Sequence, residues 1–373
     1  MPNHVMNILT FDCSEEQLKE VLSAICYDEN AESADLTGPG TIDFNKITPM
    51  PPSLDIECGS RTIDSVSLYL TSLNPDVHHF GEEKLDHEAF QALLAQVGKR
   101  RSYIDYNPAM SQEQIKKCTQ YTDAETLLEM GKTAVNNQRQ YGATTWYEWR
   151  TRPDTWNTKW NSYYPGDYQG DNEITFQTAW DAPHPLIAKL SSMYPEVTIK
   201  HRWANEDLWQ ECGSRTYLGG EMIDYDFPDN DKEQIETAAS IWDIPIKDYG
   251  YVESALGNSY VNIEAENLDL VSVCGQPALF SNERLSENEI PRGLFLYHLR
   301  SGSDGEQFCA IEKKVAVNHG GSIVTSEPLD LGEDELIMFD DNHTLSFMGE
   351  RMTFEQFMEG DLETKGAMDI EQS

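Results

Sequence analysis

The 373-residue chain predicts an α+β protein, a strand-and-helix sandwich carrying a helical insertion and followed by a smaller, mostly-β domain. Three observations predict it. The first residues alternate apolar and polar side chains and run straight into an amphipathic helix. A long stretch reaching residue 142 repeats apolar residues at helical spacing. Beyond residue 260, short β-branched and aromatic runs recur between Gly, Asn and Asp.

Residues 4–11 (HVMNILTF) alternate as a strand does. Ser14-Glu15-Glu16 then opens a helix whose Leu18, Val21, Leu22 and Ile25 share a face. Ser14 supplies the cap, and the two glutamates favour the positive end of the helix dipole. A polar segment at 28–40 leads to Ile42-Asp43-Phe44-Asn45-Lys46-Ile47, and Pro49, Pro51 and Pro52 block any continuation. Over 63–142, Val66, Leu70 and Leu73 form one stripe and Phe90, Leu93, Leu94 and Val97 another; Leu127, Leu128 and Met130 begin a third. Lys99-Arg100-Arg101 is a compact basic run, read as a solvated helix end.

Residues 144–164 are crowded with Trp and Tyr. A strand at 174–180, a helix at 185–193, a strand at 197–203 and a strand pair over 215–225 turning at Gly219-Gly220 follow. With the opening strand and helix, this is read as βα…ββαβ, the order of a ferredoxin-like sandwich with a helical insertion. After a helix at 232–242, strands are expected at 260–265, 268–273, 293–300, 308–317, 322–325 and 335–339, and a closing helix at 353–358. The predicted domains are 1–230 (insertion at about 60–143), a connection at 231–264, a β-rich accessory domain at 265–361 and a flexible tail at 362–373. The hexapeptide Glu-Cys-Gly-Ser-Arg-Thr occurs at 57–62 and again at 211–216, too little to establish a repeat.

Charge dominates the composition. There are 65 Asp and Glu against 27 Lys and Arg, a net −38. That is about one net negative charge per ten residues, beyond what solubility asks for. Such a surface repels nucleic acid and anionic membranes and attracts basic ones. Eight Trp, 17 Tyr and 13 Phe give the chain material for a core, against disorder. Seven scattered Cys with no C-x-x-C pair argue for reduced thiols in a cytosol, not a disulfide scaffold or zinc ribbon. No apolar run approaches membrane-helix length and the N-terminus has no basic-then-apolar leader, so neither export nor embedding is expected.

Several runs carry a family resemblance. Met1-Pro2-Asn3-His4-Val5, Ile42 to Pro51 (IDFNKITPMP), Trp156-Asn157-Thr158-Lys159-Trp160-Asn161, Thr175-Phe176-Gln177-Thr178-Ala179-Trp180 and His201-Arg202-Trp203-Ala204 are among them. Together they resemble the YubB-type proteins with a ferredoxin-like domain, found on bacterial plasmids, prophages and genomic islands, over about residues 1–225. The C-terminal runs Gly275-Gln276-Pro277-Ala278-Leu279-Phe280, Leu296-Tyr297-His298-Leu299-Arg300, Val317-Asn318-His319-Gly320-Gly321 and Phe354-Glu355-Gln356-Phe357-Met358 are similar to the accessory domains attached to large polyvalent proteins of phages and plasmids. The resemblances imply a ferredoxin-like fold and a mobile-element context in a bacterial cytosol. They imply no catalytic residues.

The residues themselves offer little catalytic chemistry. His201 lies near Glu206 and Asp207, but a lone His lacks a second-ligand spacing, and a hydrogen-bonded core His is the plainer reading. Asn318-His319-Gly320-Gly321 has no accompanying G-x-S-x-G, so it is read as a hairpin turn. His78, His79 and His87 among Glu82, Glu83 and Asp86 are read as solvated loop residues. Neither GxGxxG nor Walker A is present. No catalytic, cofactor-binding or metal-binding residue is therefore expected. The expected binding residues are Asp224, Asp226, Asp229 and Asp231, with Glu333, Asp334 and Glu335; Asp340 and Asp341 could extend that second edge. The expected partner is a host protein with a basic surface, such as a nucleic-acid-handling defence enzyme. The competing reading takes the Trp and Tyr residues of the sheet as a platform for single-stranded nucleic acid.

Overall fold

The computed structural model describes residues 3–28, 37–97, 106–254 and 257–262, and beyond them the backbone of strands between residues 269 and 347. The chain divides into two units, Met1–Glu206 with Gly213–Asp226, and Asp207–Cys212 with Phe227–Ser373.

In the first unit, β1 (His4–Asp12) is followed by α1 (Glu15–Ile25). Ser14 closes a full capping box with Gln17, and the expected Leu18, Val21, Leu22 and Ile25 are all buried. The insertion then contributes α2 (Phe44–Ile47), capped by Asp43, α3 (Ser60–Leu73), α4 (His87–Val97), α5 (Gln112–Cys118), α6 (Ala124–Tyr141) and α7 (Trp146–Arg150). The chain returns in β2 (Glu173–Ala179), α8 (His184–Met193), β3 (Thr198–Asn205), β4 (Cys212–Leu218) and β5 (Glu221–Asp226).

The strands form one sheet in the order β2-β1-β3-β4-β5, with β1 antiparallel to both β2 and β3. Strands β2 and β3 flank β1 and are joined by α8, which is a split β-α-β unit. The order along the chain is thus βα, insertion, βαβββ, and the βα…ββαβ expected from the sequence is corrected. The glycine turn lies after β3, where Gly219 and Gly220 take positive φ (59° and 89°), so the hairpin follows the second helix.

One sheet face is covered. Leu9 and Phe11 of β1, Ile174 and Phe176 of β2, Ile199 of β3 and Tyr217 of β4 pack with Leu18, Val21, Leu22 and Ile25 of α1 and Leu186, Ile187 and Leu190 of α8. The flanks of the insertion enter the same core through Ile42, Phe44, Leu54, Trp149 and Trp156. Trp156 is fully buried and donates its Nε1–H to the Thr48 carbonyl at 2.8 Å. The rest of the insertion has cores of its own. Val66 and Leu70 pack with Val97, Ala134 and Val135, and Leu68 packs with Met110 and Leu127.

In the second unit, α9 (Asp231–Trp242) is capped by Asn230 and precedes the pair β6 (Tyr251–Glu253) and β7 (Tyr260–Asn262). Lys232 ties helix to hairpin, donating to Glu253 at 2.9 Å and the Gly257 carbonyl at 2.7 Å. A five-stranded sheet follows in the order β12-β11-β10-β9-β8, from β8 (Asp269–Val273), β9 (Gln276–Ser281), β10 (Phe295–Ser301), β11 (Cys309–Val317) and β12 (Ile323–Ser326). Strands β13 (Ile337–Phe339) and β14 (Leu345–Phe347) pair separately. Three of these strands, β6, β9 and β14, were not among those expected. The helix at 353–358, the tail and Lys99-Arg100-Arg101 fall outside the described residues.

Helices α3 and α6 meet backbone to backbone at Gly131, where a Cβ would lie 2.1 Å from the Ser65 carbonyl oxygen. In an open helix Gly131→Ala gains about 1 kcal/mol. Here overpacking reverses the sign, and a net loss of about 1–3 kcal/mol is expected in urea unfolding.

Candidate functional site

Strand β5 ends the sheet, and all six of its residues are exposed. Asp224 and Asp226 stand opposite Thr216 and Ser214, so they share a sheet face, while Tyr225 faces the other way, opposite Arg215. The pairing skips Ile223, which forms a bulge between Met222 and Asp224. Ile223 is 56 % exposed and Tyr225 63 %.

Asp229 and Asp231 belong to the second unit and sit at the start of α9. The Asp229 N–H donates to Glu233 at 3.0 Å, and Asp231 occupies the first turn behind the Asn230 cap. Carboxylates there complement the helix dipole whether or not a partner binds. Glu333, Asp334, Glu335, Asp340 and Asp341 lie outside the described residues.

His201 is wholly buried on the covered sheet face, as a hydrogen-bonded core His. Its Nε2 lies 3.0 Å from Asn7 Oδ1, so the bond requires Nε2 to carry the proton. The Asn7 amide donates to Val5 O and to Thr178 Oγ1, both at 2.9 Å, and Thr178 donates to the Asp181 carbonyl at 2.8 Å. His184, at the start of α8, packs edge-on against Trp203 with centroids 4.3 Å apart and lies 5.2 Å from His201. The Arg215 guanidinium stands over Trp203 at 5.2 Å. Burial first, then Arg215, pushes His184 down to about 3. Burial pushes His201 well below the usual imidazole range, with His184 and Arg215 adding to it. Both rings are therefore neutral near pH 7, and among the described residues no carboxylate is hydrogen-bonded to His201 to make it a base. The sequence singled out His201 but not Asn7, His184 or Arg215; Asn7 and Arg215 join it through strand pairing and His184 through the packing of α8 on the sheet.

The aromatic run builds an edge beside β2. Tyr163 bridges Gln177 with backbone bonds of 3.1 and 2.8 Å, and exposed Trp160 and Tyr164 pack edge-on against its ring. Lys159 stands 4.9 Å from the ring centres of both Trp160 and Trp180. Tyr164 (φ 45°) and Trp180 (φ 80°) hold left-handed backbone that bulky residues rarely adopt. By contrast, the strand aromatics Phe176, Trp203 and Tyr217 are buried. Any aromatic platform therefore sits at the sheet's edge.

A half-open cleft of about 480 Å³ lies among α3, α5 and α6, lined in part by Arg61, Asp64, Lys117 and Cys118. Arg61 pairs with Glu57 at 2.9 Å. Burial and then Asp64 raise the Cys118 thiol, the wrong direction for a nucleophile. His79 bonds the Met110 carbonyl at 2.9 Å, and His87 lies 3.7 Å from Asp76. Among the described residues, no three His, Cys, Asp or Glu side chains converge as a metal site requires. No helix there is long and apolar enough to cross a membrane.

An α+β sandwich bearing a charged edge, joined to a β-rich unit, is the class these observations define. Residues 155–245 match the family described as the ferredoxin-like domain in Api92-like protein, and residues 264–359 match large polyvalent protein associated domain 28. Both resemblances read from the sequence are thereby found, each over part of the chain. The crystal structure of protein api92 from Yersinia pseudotuberculosis is similar at 12 % identity and a TM-score of 0.28, over 62 % of this chain and 99 % of that one. No curated protein matches the sequence.

Burying the His pair in neutral form predicts that the fold loses stability in acid. Unfolding returns both imidazoles to the ordinary value near 6.5, so the unfolded chain binds more protons as pH falls from about 6.5 towards 3. Stability contributed by neutral burial is present above that window and lost within it. His184→Gln should flatten the decline in urea midpoint between pH 7 and 5; an unchanged slope would show that His184 does not contribute to it.

Proposed function

We propose that this chain is a non-enzymatic accessory protein of a bacterial mobile element, acting in the host cytosol by binding a host protein through that protein's basic surface. The partner is of the nucleic-acid-handling kind, a defence nuclease for example, and binding inhibits or modulates it as a DNA mimic does. The observation carrying this reading is the net −38, with carboxylates left outward on an ordered edge at Asp224 and Asp226. A field of that sign speeds encounter with a basic cleft and repels the nucleic acid that the cleft serves. The mobile-element setting is part of the proposal, supported by the resemblance to domains attached to large polyvalent proteins.

Calorimetric titration against a panel of basic nucleases, over a salt series, tests it. Affinity should fall about tenfold or more from low to high salt. Binding indifferent to salt, or none across the panel and in capture from host lysate, would remove the reading.

A second reading rests on exposed Trp160 and Trp180 flanking Lys159, with exposed Tyr164 nearby in the same run: stacking of single-stranded nucleic acid at the sheet edge. Labelled single-stranded DNA at low salt decides it. Under the first reading no shift appears, and a shift abolished by Trp180→Ala would favour the second.

A further inference from the structure

We propose that β5 is the docking edge, and that it accepts an extended basic segment of the partner as an added strand. This rests on the partner reading above and specifies where and how it is met. β5 is hydrogen-bonded to β4 on one side and is terminal in its sheet. Alternate residues of such a strand direct N–H and C=O groups outward, a ready template for pairing.

Protein edges are commonly blunted by Lys, Pro or a covering element. Glu221-Met222-Ile223-Asp224-Tyr225-Asp226 has neither Lys nor Pro, and every residue in it is exposed. Among the described residues, the bulge at Ile223 and the three carboxylates are the features of the strand that act against such pairing. Those carboxylates also select the occupant. A second copy would bring the same three acidic residues against them, on a chain of net −38. A strand with Lys or Arg on the face of Asp224 and Asp226 would instead place opposite charges side by side, and apolar residues on its other face would lie beside Tyr225. The chemistry called for is thus a short segment alternating basic and apolar residues. Backbone pairing supplies the affinity and the alternate side chains the selectivity.

The test uses the full chain and two fluorescent peptides of equal length and charge, one alternating Lys with Val and the other Lys with Pro, which cannot complete a ladder. The Lys–Val peptide should bind at least about tenfold more tightly by anisotropy. Hydrogen exchange should show it protecting amides within residues 221–226. Tyr225→Pro and the milder Tyr225→Lys should each weaken it about tenfold or more, with circular dichroism reporting the fold. Equal, salt-sensitive binding of both peptides, or protection elsewhere, overturns the edge while leaving the charge-directed partner standing. No binding of either peptide overturns both. A salt-promoted dimer that excludes the Lys–Val peptide would assign the edge to a second copy and overturn the proposal.

Discussion

The first unit depends on one constraint: β1 is held on both sides by strands the chain reaches only at residues 173 and 198. Closing so long a loop costs little more than closing one half its length, since the entropy grows only logarithmically. The cost is offset where β1 is sandwiched. Leu9 and Phe11 pack beneath both α1 and α8, and their neighbours Ile174, Phe176 and Ile199 arrive with the returning strands. Asn7, in the same row of inward positions, is tolerated because Val5, Thr178 and His201 satisfy its amide. A polar group is thereby used to lock register, since a one-residue slip would break its cross-strand bonds to Thr178 and His201.

The acidity has a structural counterpart in where the cations go. Arg150 lies over Trp146 and Trp156, Lys159 between Trp160 and Trp180, and Arg215 over Trp203. Arg202 pairs with Glu173, Arg152 with Asp154, and Lys232 with Glu253. Six of the 27 Lys and Arg are engaged in these ring contacts and local pairs. That leaves β5, among the described elements, with a run of carboxylates at an open edge.

Local periodicity made the longer helices and most strands legible, while the short α2, α5 and α7 were not read individually. Alternation marks β1, a capping box marks the start of α1, and the stripes Val66–Leu70 and Phe90–Val97 do enter cores. The sheet order was not legible, because order along the chain does not say which strands become neighbours. β9 was hidden by Pro277, which ordinarily demotes a strand. Of the candidate site, Asp224 and Asp226 were visible as sequence, but their shared face and the bulge at Ile223 exist only once β4 fixes the pairing. The left-handed Tyr164 and Trp180 carry no sequence mark at all, since neither is a residue that favours that conformation.

The insertion's two kinds of packing have a consequence for how such a chain can change. Its flanks, around Ile42–Leu54 and Ala143–Trp156, are shared property of the sandwich, whereas α3 to α6 form cores among themselves. The helical cassette is therefore an exchangeable passenger clamped at two fixed anchors. Descendants can resize, replace or discard it without relearning how the sheet closes, but an altered anchor would be felt in the sandwich first.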